Sequence, residues 1–591
     1  MDPEIQKIMA RAVIRHRSGD LEQAVALYQE VLKKAPDFAE ALNLHGVATS
    51  SLGRQSEART SLALAVALAP GNATYQQNLG RVLLEQGDLD RSEEALRVAT
   101  YLAPRLAPAQ ANLGNLYKKR GKLEEAIACY DCALALAPAD YKTWNNLGTA
   151  WRERKDLPRA EDALRKALAI QPDFVPALSN LGLVLAERGV TEEAVACFVR
   201  ALKQDPDQAD LYVNYGNILR DLGRDEEAGA AFAEVTVRID PKHGGAWSSL
   251  GNAALARGDI ERAGTCYRTS LEYAPDDPIL HFNHALYLLL MGDYAKGFAE
   301  YEWGLRADLR QPRRQFHKRL WQGESFAGET LLVYSEQGLG DAIQFLRFLP
   351  EAKARGGRIV FEVHPALQNL LSQVPGADQV ISRRDDGSIG VPFDRYVALL
   401  SLPERFGVRL ESLESMKPRL EIPAHARKAA AARFADVSDF KVVLSWYGNP
   451  IHKNDARRSI PLETFAPLMD VPGVRFYAVT PAERTAKDIQ ATGLPIESWS
   501  LPLEEAAAVI EASDLVITVD TLHAHLAGAI GQKGWVLLPF LPDWRWLLNR
   551  EDSPWYPSLR LFRQRKPGDW PDVIERVRVA LASEIRLRRN I

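Results

Sequence analysis

Small and apolar residues follow two different rhythms along the chain, and the change falls near Thr330. From about residue 5 to 310 the rhythm is a 34-residue period. Prolines mark it at Pro36, Pro70, Pro104, Pro138, Pro172 and Pro206, then at Pro241 after one inserted residue, and at Pro275. Glycines keep the register at Gly46, Gly80, Gly114, Gly148, Gly182, Gly216 and Gly251. A second glycine series (Gly19, Gly53, Gly87, Gly121, Gly189, Gly223, Gly258, Gly292) marks a mid-period turn. After that turn come Ala24, Ala58, Ala126, Ala160, Ala194, Ala228 and Ala263, and one helical turn later Tyr28, Tyr130, Phe198, Phe232 and Tyr267. Small residues let two helices cross closely, an aromatic fills the gap, and proline closes the second helix because it lacks the donor for another turn. The pattern predicts nine helix pairs. The last is degenerate, with Ala285 and Gly297 at the small positions and Tyr301 at the aromatic one, as expected at the end of a stack.

This helix-pair period resembles the tetratricopeptide repeat. From Thr330 the rhythm changes to apolar runs separated by helical segments. LLVYS, RIVFEV, QVIS and RYVALL form a first series; KVVLSW, VRFYAVT, LVITVD and GWVLLPF form a second. A polar, alanine-rich connection at 421–438 separates them. Strands alternating with helices predict parallel sheets covered on both faces. The expected architecture is an α-solenoid over 5–310, then two Rossmann-type lobes facing a cleft, at 330–425 and 438–590. The stretch 311–329, with Arg306 and Arg310 just before it, concentrates Arg313, Arg314, Lys318 and Arg319. It reads as a solvated basic linker or as a positive rim beside an anionic substrate.

Composition narrows the function. At 591 residues the chain exceeds one core, and its net charge of −4 gives no general attraction to nucleic acid or acidic membranes. No stretch has the uncharged apolar length of a membrane span, and the N-terminal segment lacks a signal-peptide core. Four cysteines make no disulfide framework, and Cys129 and Cys132 sit inside a repeat helix where packing explains them. A cytoplasmic protein is expected.

Asn78, Asn112, Asn146, Asn180, Asn214 and Asn283 each precede the first-helix glycine, or its equivalent Ala285, by two residues. Stacked repeats align equivalent positions on one surface. Each carboxamide both donates and accepts, so a line of them suits the backbone of an extended acceptor polypeptide. The other reading is that they tie neighbouring repeats together. The ladder resembles that of the O-GlcNAc transferase superhelix, where such asparagines grip acceptor polypeptides.

Two strand-to-helix loops carry the candidate chemistry. Glu336-Gln337-Gly338-Leu339-Gly340-Asp341 lets backbone approach a ligand closely, and Asp341 either caps the helix or takes a proton. Asp520-Thr521-Leu522-His523-Ala524-His525 presents helix N–H groups to a phosphate, with His525 one turn in. Asp520, His523 and His525 suggest a metal, but residues two apart on a helix, such as His523 and His525, point in different directions, so no metal site is expected. Between the loops lies SWYGNPIHKNDARRSIPL, with His452, Lys453, Arg457 and Arg458. Farther on, Trp544, Trp546, Trp555 and Tyr556 stand beside Arg545, Arg550 and Arg560, suited to stacking on a base or sugar or to packing between lobes.

The paired loops and the tryptophan-then-basic segment resemble the heptosyltransferase family of GT-B glycosyltransferases. The resemblance covers about 330–580. It implies a nucleotide-sugar co-substrate and no cofactor, with Gly338, Gly340, Lys453, Arg458, Asp520 and Thr521 binding the donor. Asp341 and His525 would be catalytic. Repeats followed by such a domain are similar to bacterial flagellin-modifying glycosyltransferases, which makes flagellin the expected acceptor. A non-catalytic scaffold and a transferase for lipopolysaccharide or another glycan are the alternatives.

Overall fold

The computed structural model describes residues 2–312, 314, 316–416, 420–449, 455–479 and 483–589. The chain divides into two compact units, 1–241 and 242–591.

The first unit consists of helix pairs, from Pro3–Arg17 with Leu21–Lys34 to Ala209–Asp221 with Asp225–Glu234. Asp20, Asp88 and Asp156 cap second helices, each accepting a backbone N–H three residues on. The first-helix glycines are steric necessities. A Cβ on Gly148 would lie 2.6 Å from Leu164 Cγ, and one on Gly114 would lie 2.6 Å from Tyr130 Cε1. The mid-period glycines take positive φ, and where the series skips a glycine Lys155 adopts φ 67° instead. The inserted residue before Pro241 is absorbed by a π-helical turn at Val235–Ile239, closed by the Asp240 N–H on the Val235 carbonyl at 2.8 Å.

The second unit starts with two more helix pairs, Gly244–Ala256 with Ile260–Tyr273 and Pro278–Leu290 with Tyr294–Tyr301. Two parallel sheets follow. The first contains β1 (Arg319–Leu320), β2 (Thr330–Tyr334), β3 (Arg358–Val363), β4 (Gln379–Ser382) and β5 (Arg395–Ala398), in the order β1-β5-β2-β3-β4. The second contains β6 (Phe440–Ser445), β7 (Val474–Ala478), β8 (Ile496–Ser498), β9 (Leu515–Val519), β10 (Gly534–Leu538) and β11 (Leu559–Arg563), in the order β11-β10-β9-β6-β7-β8. Central strands are buried on both faces. Val442, Leu444, Ile517 and Leu537 pack with Val573, Val577 and Leu581 of the last helix, while their neighbours Val443, Val516 and Val536 face the other way into the main core.

The final helix pair is built into that main core. Phe298 meets Trp544 edge-on at 5.8 Å, and Trp555 Nε1 donates to the Tyr294 hydroxyl at 2.7 Å. The expected linker is likewise integral. β1 pairs with β5, and Trp321 is fully buried. Arg310 is buried too, because three partners meet its guanidinium: it donates to Glu336, to Glu302 at 2.6 Å and to Ser401 at 3.0 Å, while Arg405 reaches the other Glu302 oxygen at 3.0 Å. Arg314 pairs with the buried Glu362. Solvation is therefore not what these arginines serve; Arg313 lies outside the described residues. No helix among the described residues is long and apolar enough to cross a membrane.

Candidate functional site

Parallel sheets expose backbone N–H groups and helix N-termini at the carboxyl ends of their strands. In the second unit those ends converge on one cavity of about 970 Å³. Residues after β2 (Gly338, Gly340, Asp341), β3 (Pro365), β6 (Tyr447, Gly448), β9 (Asp520, Thr521) and β10 (Pro539, Leu541) line it. The volume suits a small-molecule ligand.

The glycine loop is tightly specified. Gln337 sits at φ 63°, in the left-handed region that a non-glycine residue enters only when its surroundings hold it there. Its side-chain amide donates to the Leu309 carbonyl at 2.9 Å. Gly340 must lack a side chain, because a Cβ would lie 2.6 Å from His525 Cδ2. Asp341 accepts the Gly338 N–H on one carboxylate oxygen at 2.9 Å and the Arg545 guanidinium on the other. It thus fills the capping role and also stands on the cavity wall.

Arg545, which lines the cavity, is the residue that sequence reasoning undervalued. Its Nε donates to Gln344 Oε1 at 2.6 Å and its Nη1 to Asp543 Oδ1 at 2.7 Å, and it lies over Trp544 at 4.5 Å. Its contact with Asp341 spans 204 positions of sequence, so no spacing rule reveals it. The cluster of tryptophans and arginines was the available signal.

The second loop caps the helix Leu522–Ile530: Thr521 Oγ1 accepts the His523 N–H at 3.3 Å. Burial, then the neighbouring Asp543, raises the Asp520 carboxyl to about 6. His525 is buried, with Nδ1 3.0 Å from the Tyr556 hydroxyl. Burial, reinforced by Arg545, lowers its imidazole to about 3. A catalytic role for His525 through giving a proton or charge is therefore opposed by its surroundings; the neutral ring is a hydrogen-bonding group. Burial lowers His523 to about 4. Arg458 lines the cavity beside Gly448, its Nε 3.3 Å from Asp455 Oδ1. Lys453 and His452 lie outside the described residues. Among the described residues no cluster of His, Cys, Asp and Glu has metal-holding geometry.

The histidines make stability depend on pH. Below pH 6.5 the unfolded chain binds protons at these two sites, and the folded chain does not until about pH 4. Stability present above pH 6.5 is therefore lost as pH falls through that window. The urea midpoint of the second unit is expected to be lower at pH 5 than at pH 7, with a smaller difference in a His523→Gln/His525→Gln double variant. An equal drop in both proteins would refute this.

The asparagine series is half-buried and partly committed to the stack. Asn78 donates to Asn43 at 2.8 Å, Asn146 to Asn115 at 2.9 Å and Asn180 to Asn145 at 2.8 Å; in the second unit Asn283 donates to Ser248 at 3.0 Å. Each bond joins helices of neighbouring repeats and uses one N–H of the amide. Asn112 and Asn214 occupy the equivalent half-buried positions.

Comparison with known proteins places the helix pairs. The family described as tetratricopeptide repeat matches residues 179–243 and 249–308, and the family described as cilia and flagella-associated protein 70 C-terminal domain matches residues 3–210. The N-terminal part is thus built of tetratricopeptide repeats. Protein FlbA of Caulobacter vibrioides is 28% identical over 377 residues, covering 58% of this chain and 62% of its own length, so the match spans less than two thirds of that relative. Among solved structures, the APC/C hetero-tetramer Cut9-Hcn1 has a TM-score of 0.39 at 17% identity, covering 45% of this chain and 52% of that one. A tetratricopeptide repeat protein from Parabacteroides merdae has a TM-score of 0.36 at 20% identity, covering 42% and 98%.

Proposed function

We propose that this chain is a glycosyltransferase of GT-B type that modifies a polypeptide recruited by its repeats. The observation that carries the reading is the convergence of strand ends from both parallel sheets on one cavity holding a carboxylate, a capped helix N-terminus and arginine. A nucleotide-sugar fits those groups. Its phosphates suit the N–H groups at Thr521–His523 and the Arg458 guanidinium, and the Asp341 carboxylate on the cavity wall suits an acceptor hydroxyl. In the reaction the acceptor oxygen bonds to the anomeric carbon, its proton passes to the Asp341 carboxylate, and the bond to the phosphate oxygen breaks with its electron pair. The sequence offers no D-x-D carboxylate pair at a strand end, so the displacement is proposed to be metal-independent.

Flagellin is the acceptor we name, on the resemblance of the repeat-plus-transferase architecture. The test is intact-mass measurement of purified flagellin after incubation with the full chain and a panel of nucleotide sugars. A mass increase of one or more sugar units is expected. An unchanged mass with every donor would remove flagellin, and the same result across other candidate proteins would favour a non-catalytic scaffold.

The repeats' part is tested separately. Changing Asn112, Asn146 and Asn180 together to alanine is expected to weaken acceptor binding 10-fold or more while leaving donor binding intact. Each backbone hydrogen bond lost is worth about 0.5–1.5 kcal/mol. Because Asn146 and Asn180 also bond to neighbouring repeats, thermal unfolding is measured on the same preparation. Earlier melting with unaltered acceptor affinity would assign these residues to the stack alone.

A further inference from the structure

The ring of His525 is held by groups that the transfer step above does not use. Its Nδ1 faces the Tyr556 hydroxyl at 3.0 Å. Its opposite edge lies against the glycine loop, where a Cβ on Gly340 would be 2.6 Å from Cδ2 and 3.3 Å from Nε2. Trp546 stacks on the ring at 5.9 Å. Behind Tyr556 stands Arg347, only 4% exposed, with its guanidinium 4.8 Å from the Trp555 ring centre and 5.3 Å from that of Tyr556. It donates to the carbonyls of Gln344 and Trp555.

This order of charges fixes a proton. Burial raises the Tyr556 hydroxyl, which therefore stays protonated with one hydrogen to give. The Arg347 cation attracts the hydroxyl oxygen and repels its hydrogen, which then points to His525 Nδ1. Arg347 and Arg545 oppose protonation of His525 and Asp543 favours it, but burial dominates and the ring is neutral. A neutral imidazole that accepts at Nδ1 carries its hydrogen on Nε2.

We propose that Tyr556 is a positioning residue that holds His525 as the Nε2–H tautomer, making the ring edge beside Gly340 a fixed hydrogen-bond donor to a phosphate oxygen in the cavity. The identity of that ligand rests on the transferase reading; the tautomer does not. His525 then steadies the leaving phosphate without giving up its proton, and no bond to hydrogen is broken there.

The test uses the full chain labelled with ¹⁵N-histidine, with the His525 signals identified by their loss in His525→Gln. In the wild-type protein Nδ1 is expected to be the unprotonated nitrogen and Nε2 the protonated one. In Tyr556→Phe, which keeps the ring's bulk, that preference should be lost. Inorganic pyrophosphate, the probe for the cavity, should bind roughly three- to tenfold more weakly, the worth of about one hydrogen bond. A protonated Nδ1 in the wild type, or an unchanged tautomer in Tyr556→Phe, would overturn the proposal. If Tyr556→Phe does not fold, the wild-type spectrum alone decides. A changed tautomer with unchanged pyrophosphate affinity would overturn the phosphate-donor role. Wild-type protein that shows the expected tautomer but transfers no sugar counts against the transferase reading and leaves the role of Tyr556 standing.

Discussion

Replacing Asp341 is expected to lower the rate of sugar transfer by about 10²–10⁴-fold, the usual contribution of a positioned general base, with binding of the acceptor polypeptide unaltered. Alanine alone would be an ambiguous substitution. Asp341 closes the first turn of the helix that starts at Leu339 by accepting the Gly338 N–H, and it also engages Arg545. Alanine removes that capping bond, at a cost of about 0.5–2 kcal/mol, and leaves Arg545 to Asp543 and Gln344. Asp341→Asn keeps an oxygen for the cap and has no basicity. Single-turnover transfer, acceptor affinity and thermal unfolding measured on both variants separate the roles. Loss of transfer in Asp341→Asn with an unchanged melting point assigns the chemistry to the carboxylate. Full activity of Asp341→Asn would eliminate it as the base.

The largest effect on stability is expected at Arg310. Its guanidinium is fully buried and neutralises Glu336, itself buried, together with half-buried Glu302. Burial pushes the Glu336 carboxyl up despite that partner. Arg310→Met leaves two carboxylates without their shared cation, and breaking a buried pair in this way costs about 3–5 kcal/mol. Urea unfolding followed by tryptophan fluorescence reads the loss, since Trp321, Trp544 and Trp555 all lie in the same core. Adding Glu336→Gln should recover part of it, because a neutral amide is cheaper to bury than an unpaired carboxylate. A loss below about 1 kcal/mol would mean that water reaches the network and that the arginine is dispensable.

The helix pairs were legible because each 34-residue period repeats the same steric problem. A glycine such as Gly148 faces a neighbour such as Leu164 in period after period, and the repetition makes the solution visible. Strands β2, β3, β6, β9 and β10 were legible as apolar runs, since strands covered on both faces have no polar side to break the run. The strands missed were β1, β8 and β11. β1 and β8 are two and three residues long, and in β11 Arg560 stands exposed between buried Leu559 and Leu561. Gly338, Gly340, Asp341, Thr521 and His525 could be placed at strand-to-helix turns and the first helical turns after them from sequence. The ionic contacts could not. Nothing local distinguishes Arg310 from exposed Arg306 four residues before it, and Arg545 meets Asp341 only after two sheets have folded. The neutrality of His525 likewise depends on Trp546, Tyr556 and Arg347 closing around it.

The way the last helix pair joins the main core sets the grain at which this protein can be taken apart or recombined. Tyr294, Phe298 and Tyr301 cover Trp544 and Trp555, and Glu302 meets Arg310 and Arg405. A cut after residue 310 would strip those partners away, leaving two large aromatic rings in water and buried Glu336 without its Arg310 cation. A cut at 241 follows the division between the compact units and removes only helix pairs. Exchange of recognition modules among chains of this design would therefore have its seam before residue 242, with the last two repeats inherited as part of the α/β half rather than with the solenoid they resemble.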